Sequence, residues 1–218
     1  MTNPPIERRG TVMADNVTLM LLKSIEELER KSNTDDLTGL YNRSFWTQEI
    51  PILEKSSRLG FAIVSIDVDG LKEINDTYGH AVGDRHIQSA ANVVRHAFRS
   101  EDHVIRFGGD EICVVAPFDL VQLTASYDQY ITSLPPNSPI PTLTGYLETV
   151  LGDRLQTCVL ESNQKLAPQQ HTLQLSFGIE VSIPTSSQPH HNLAKTYNQA
   201  DAKMYQMKKR HHQTENQL

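Results

Sequence analysis

Two short acidic clusters hold the residues best suited to chemistry in this 218-residue chain: Asp67-Val68-Asp69-Gly70 and Gly108-Gly109-Asp110-Glu111. Each stands at the end of an apolar run. Phe61 to Ile66 leads into the first, while His103-Val104-Ile105 precedes the second and Cys113-Val114-Val115-Ala116 follows it. The Gly-Gly pair supplies the positive φ angles of a tight hairpin turn. Asp-Glu directly after it crowds two negative charges at the tip, which is unfavourable unless a cation sits there. If the strand ending at Asp67 pairs antiparallel with the strand starting at Ile112, Asp67 and Asp110 face each other across neighbouring strand ends. Two such carboxylates suit Mg²⁺, which takes one or two protein carboxylates and completes its shell with water and substrate phosphates. That donor set fits phosphoryl transfer, with the turn from Val68 through Gly70 to Leu71 adding backbone N–H groups for phosphates.

The elements that must position these acids follow from periodicity. Residues 1–10 are polar with Pro4-Pro5 and are expected to be disordered. Residues 11–33 read as an amphipathic helix with Leu21, Ile25 and Leu28 in a stripe that Ala14 and Thr18 extend weakly; it is either a lone helix or a dimerising stalk. Asn42 is placed to cap a helix toward Leu53 that Pro51 kinks or ends. The run Phe61–Ile66 reads as a central strand covered on both faces. A helix through Lys72 and Ile74 closes near Gly79, and a second starts with Asp84 as its N-cap, carrying Ile87, Ala91, Val94 and Phe98 on one face. Leu120–Leu134 and Leu143–Leu160 look helical, separated by the proline-rich loop 135–141. Thr172 to Ser182 alternates polar and apolar as a half-buried strand does. A last helix spans 192–210, with fraying expected from His211 onward. His190-His191 and His211-His212 read as surface residues and not as metal ligands.

Composition narrows the function classes. At 38% apolar residues the chain can bury one ordinary core. A net charge of −6 and a pI near 5.8 lack the basic footprint of a nucleic-acid binder. Leu19-Met20-Leu21-Leu22 is too short for a signal or spanning segment, so a cytoplasmic protein without a membrane segment is expected. Cys113 and Cys158 lack metal-ligand spacing, and no disulfide is expected.

From Thr34 to Arg210 the chain resembles the GGDEF family of diguanylate cyclases. The resemblance is carried by Asp35-Asp36-Leu37-Thr38-Gly39-Leu40-Tyr41-Asn42-Arg43, by Asp67 through His80 with Gly83-Asp84, by the Gly-Gly-Asp-Glu-Ile hairpin, and by Ser176-Phe177-Gly178-Ile179 with Ala200 through Tyr205. It implies an α+β, palm-like, nucleotide-cyclase-like domain: a central mixed, mostly antiparallel sheet flanked by helices, with an extended 117–170 region, spanning 34–218 behind a linker at 1–33. It further implies that Asp67, Asp110 and the Val68 carbonyl hold two Mg²⁺ or Mn²⁺ ions, that Glu111 is essential, and that Lys72 meets phosphate charge. Asn75 and Asp84 would read the guanine edge, where a carboxylate accepts from N1–H and N2–H₂ groups that adenine does not offer as a pair. Gly70, Leu71, Gly109 and Lys208 complete the substrate contacts. Arg99 and Asp102 stand where the family keeps an inhibitory site for cyclic di-GMP.

The implied reaction joins two GTP into cyclic di-GMP with release of two pyrophosphates, across a transient or stable homodimer. The alternative is an inactive domain that acts as a cyclic di-GMP receptor through Arg99 and Asp102; a third reading is a scaffold that dimerises through its first helix. Three departures stand out. Ile112 replaces the family's Phe, the 117–170 region is long, and His212 stands where the family has an Arg four residues after its Lys, leaving Lys208, Arg210 and His212 to share that role.

Overall fold

The computed structural model describes residues 18–24, 27–28, 31–56, 59–167 and 171–215, which fall into two compact units dividing after Thr34. In the first unit residues 18–24, 27–28 and 31–33 are helical, Lys31 pairs with Glu27 at 3.0 Å, and Leu21 and Leu28 are exposed. Residues 1–10, Ala14 and Ile25 lie outside the described residues. Among the described residues no helix is long and apolar enough to cross a membrane.

The second unit is built on one sheet. Its elements are α1 (Arg43–Leu53), β1 (Leu59–Val68), α2 (Leu71–Tyr78), α3 (His80–Ala97), β2 (His103–Gly108), β3 (Glu111–Asp119), α4 (Leu120–Ser133), α5 (Leu143–Gln164), β4 (Leu175–Ser182) and α6 (Leu193–Glu215). The strand order is β2-β3-β1-β4. The sheet was expected to be mixed and mostly antiparallel; all three strand pairings are antiparallel, and an isolated bridge between Tyr41 and Ile105 runs parallel. With the hairpin placing β3 antiparallel to β2, and β1 and β4 each antiparallel to their neighbours, no crossover between adjacent parallel strands is needed.

Strand alternation splits the core in two. Ala62, Val64, Ile66, Val68, Ile112 and Val114 face α3 and α5, where Ala90, Val94, Leu151 and Leu155 meet them. Phe61, Ile63, Cys113 and Val115 face the other way, toward Phe45 and Ile50 of α1 and Leu193 and Ala200 of α6. The continuous apolar run of β1 is therefore what two covered faces require, and it is buried from Gly60 to Val68. Both cysteines are free.

Several expectations need correction. Asp84 is not an N-cap: α3 already starts at His80 behind Gly79, whose φ of +85° makes the break from α2, and Asp84 lies exposed one turn inside. Pro51 sits inside α1, two residues from its end, so the hydrogen bond it forfeits costs little helix. The last strand begins at Leu175 and is not half-buried: Ser176 and Gly178 are buried because α6 covers the second face. A side-chain carbon on Gly178 would collide with the backbone of Ala200 and Met204. Helix α6 does not fray at His211 but continues to Glu215. His191 is buried, with Nδ1 2.7 Å from Ser182 Oγ and Nε2 2.9 Å from the Leu59 carbonyl, while His190 is exposed.

Candidate active site

The register brings the two acidic clusters to one end of the sheet. Asp67 pairs with Glu111, one residue from the facing expected of Asp110, and the Val68 N–H donates to the Asp110 carbonyl at 3.1 Å. On the other side Asp67 pairs with Ser176. Helix α6 lies across this face, and Lys208 Nζ stands 2.6 Å from Asp67 Oδ1. Burial pushes the Asp67 carboxyl up from its ordinary value, and the Asp110 and Asp69 charges push the same way, with Lys208 opposing them. Glu111 is also raised, first by burial and then by Asp110, Asp201 and Asp67. For Lys208, burial works against the charge, but the hydrogen bond it donates to Asp67 and the three nearby carboxylates outweigh it and raise its pKa. The strand ends form an acid cluster that one ammonium group partly neutralises.

The hairpin tip is held by a residue that sequence reading passed over. Gly108 and Gly109 take φ of +137° and +54°, conformations that favour glycine. Arg106 donates from Nε and Nη2 to the Gly109 carbonyl at 3.2 and 2.8 Å, and from Nη1 to both oxygens of Asp35 at 3.0 and 3.1 Å. Thr38 donates to Asp35 through its N–H and its hydroxyl. Burial works against the Asp35 charge, yet the bonds from Thr38 and Arg106 hold its carboxyl below the ordinary value.

The turn after β1 is equally constrained. Gly70 takes φ of +72° and gives α2 no side-chain cap, so the first N–H groups of the helix are left for another acceptor. Leu71 is buried and Lys72 exposed. Asp69 is buried and accepts from Ser176 Oγ at 2.8 Å and from His211 Nδ1 at 2.8 Å. His211 is thus not the surface residue expected. Asn75 packs so closely on Gly83 that a methyl group there would run into its carboxamide, which brings Asn75 beside the residue preceding Asp84. Asn75 and Asp84, the two residues expected to read guanine, thereby share one corner between α2 and α3. Asp201 joins the site from α6, accepting from Ser65 Oγ at 3.0 Å.

Arg99 and Asp102 lie at the other end of the β2–β3 hairpin from its tip, roughly 20 Å away by strand rise. Asp102 is buried and accepts from the Arg99 N–H at 2.8 Å; burial raises its pKa. The Arg99 guanidinium is exposed, with Nη1 3.9 Å from Glu101. Both residues line a cavity of about 70 Å³ with Pro117, Phe118, Leu151 and Arg154. Arg154, from α5, lies over the Phe98 ring at 5.2 Å. A larger hollow of about 460 Å³, lined by Ser182, His190, Lys195 and Gln199, contains none of the acids, so volume alone does not mark the chemistry.

Comparison with known proteins agrees with this geometry. The family model for the diguanylate cyclase GGDEF domain matches residues 32–142. The probable diguanylate cyclase DgcJ of Escherichia coli is 31% identical over 158 residues, which cover 69% of this chain and 32% of that protein. The response regulator PleD of Caulobacter vibrioides is 41% identical over 87 residues, 38% of this chain and 19% of PleD. The chain therefore spans a third or less of these relatives. Among solved structures, the coiled coil and GGDEF domain of DgcB from Caulobacter crescentus superposes with a TM-score of 0.63 at 20% identity, covering 94% of each chain. The diguanylate cyclase SiaD of Pseudomonas aeruginosa gives 0.63 at 22% identity, covering 93% of this chain and 68% of SiaD. With its palm-like sheet and its paired acidic strand ends, the chain belongs to the GGDEF family of diguanylate cyclase domains.

Proposed function

We propose that the chain is an active diguanylate cyclase. The observation that supports this most is the convergence of Asp67, Asp110 and Glu111 at adjoining strand ends, where burial and mutual repulsion already raise two of the three. Among the described residues no three His, Cys, Asp or Glu side chains form a ready metal cluster. Mg²⁺ does not need one, because one or two carboxylates with a carbonyl, water and phosphates complete its shell. Asp67, Asp110 and the Val68 carbonyl would hold two Mg²⁺ or Mn²⁺ ions. When bound, the ions neutralise the triphosphate and lower the pKa of the attacking hydroxyl.

The chain's own groups do the rest. Asn75 and Asp84 hold the guanine edge and select GTP over ATP. The N–H groups of Gly70, Leu71 and Gly109 and the ammonium groups of Lys72 and Lys208 meet the phosphates. Glu111, at the hairpin tip, is suited to accept the proton of the 3′-hydroxyl, and its raised pKa brings it closer to that task. Two domains face each other, and each 3′-oxygen attacks the α-phosphorus of the other GTP. Two phosphodiester bonds form, and two pyrophosphates leave. Cyclic di-GMP then inhibits at Arg99 and Asp102, with Arg154 adding a second guanidinium to that cavity. Solved GGDEF structures such as that of DgcB hold c-di-GMP, which supports product binding in this family.

Incubating the protein with GTP and Mg²⁺ and separating the nucleotides tests the proposal. Cyclic di-GMP and pyrophosphate in a ratio of one to two are expected. Binding of cyclic di-GMP without turnover would make the domain a receptor, and no nucleotide binding at all would leave only a scaffold.

A further inference from the structure

We infer that His211 is a positioning residue of the active site: from the end of α6 it holds the β1–α2 turn in place through Asp69. Two pairs of residues meet here. Asp67 lies at the end of β1 and Asp69 two residues on, in the turn that follows it, while Lys208 and His211, three apart, lie on one face of α6. Lys208 meets Asp67 at 2.6 Å, and His211 Nδ1 meets Asp69 Oδ2 at 2.8 Å. The last inward apolar residue expected of α6 is Met207, and beyond it Lys208 and His211 tie the helix to the strand ends by polar contacts.

Asp69 is fixed from three directions. Its N–H donates to the Gln174 carbonyl at 3.1 Å, Ser176 Oγ lies 2.8 Å from each of its carboxylate oxygens, and His211 supplies the third contact. The serine has one hydrogen to share between two oxygens. Without His211 the buried carboxylate keeps a single side-chain donor, and an under-paired buried charge favours any movement that returns it to water. Movement is available, because Gly70 next to it holds a φ of +72° and has no side chain to restrict it. Val68, whose carbonyl is a proposed metal ligand, precedes Asp69 directly. A loosened Asp69 therefore loosens that carbonyl and the first N–H groups of α2 together. This consequence for metal and nucleotide rests on the cyclase reading; the clamp itself does not.

The test compares the full chain with His211→Ala and His211→Asn, the latter because the asparagine amide nitrogen reaches as far as Nδ1. His211 belongs to neither core cluster, so both variants retain the packing that folds the domain. Hydrogen–deuterium exchange of the amides of residues 69–72 is expected to rise about tenfold in His211→Ala and to return near the parental rate in His211→Asn. Parental exchange in the alanine variant would overturn the clamp, and so would an asparagine variant as fast as alanine. Mn²⁺ titration followed by the resonance of the free ion is expected to show about tenfold weaker binding in His211→Ala, restored in His211→Asn. Faster exchange with unchanged Mn²⁺ affinity would overturn the clamp's service to the metal. A parent that binds no Mn²⁺ would instead count against the cyclase reading, while exchange would still decide the clamp.

Discussion

Asp35 and Asp69 do at the residue scale what the proposed catalytic acids cannot do for themselves: each ties down a turn on which a proposed ligand stands. Asp35 ties Arg106, and through it the Gly109 carbonyl, into place. Its carboxyl is held below the ordinary value, so the native state binds its proton less readily than the unfolded chain. The stability this confers is complete above the ordinary Asp range near 3.8 and is lost as pH falls through the depressed native value. Asp35→Asn should cost roughly 1.5–3 kcal/mol at pH 7, the range for a hydrogen bond to a charged group. Urea unfolding of both proteins at pH 7 and at pH 3 checks this, and the gap should narrow at the lower pH; a gap independent of pH would place the effect elsewhere. Asp67, Asp110 and Glu111 were legible in the sequence because motif and strand end coincide. The partners of Asp35 and Asp69 were not, since Arg106 is 71 residues from one and His211 is 142 residues from the other, and no local period reports such contacts.

Among the elements, the junction of β4 and α6 decides whether the site forms. Gly178 lets the helix backbone approach the strand directly, and Lys203 locks the contact, with Nζ 2.6 Å from the Ile179 carbonyl, 2.9 Å from Glu180 and 3.0 Å from Glu148 of α5. A methyl group at 178 meets the backbone of Ala200 and Met204 and the Cβ of Lys203, none of which can swing aside. Gly178→Ala should destabilise the domain by about 1–3 kcal/mol, the usual cost of overpacking a tight core. It should also lower GTP turnover more than its stability loss explains, because Lys208 and His211 ride on the displaced helix. Thermal melts and initial rates measured well below the melting temperature separate the two effects. The strands and most helices were readable from periodicity. Where reading failed at Ser176 and at α6 beyond Arg210, the deciding contacts came from an element distant in sequence, whereas at Asp84 the helix had already started behind the positive φ of Gly79.

For the whole molecule, the proposed chemistry is bimolecular, since one domain presents a single GTP. Specific activity should fall as the protein is diluted below its dimer dissociation constant, and an activity per domain that does not change with dilution would contradict face-to-face assembly. Arg99→Ala should keep turning over GTP at cyclic di-GMP concentrations that stall the parent; equal inhibition of both would remove Arg99 and its cavity as the product site.

The central claim is that Asp67 and Asp110, on neighbouring strand ends, form one metal site for GTP condensation. Initial rates of cyclic di-GMP formation from GTP and Mg²⁺, for the parent and for Asp110→Asn at equal protein concentration, test it most directly. The substitution preserves shape and removes the charge. The account predicts measurable product from the parent and a fall of at least about a hundredfold in the variant, as for loss of a principal electrostatic group in an active site. A variant that forms cyclic di-GMP at near-parental rates would contradict it.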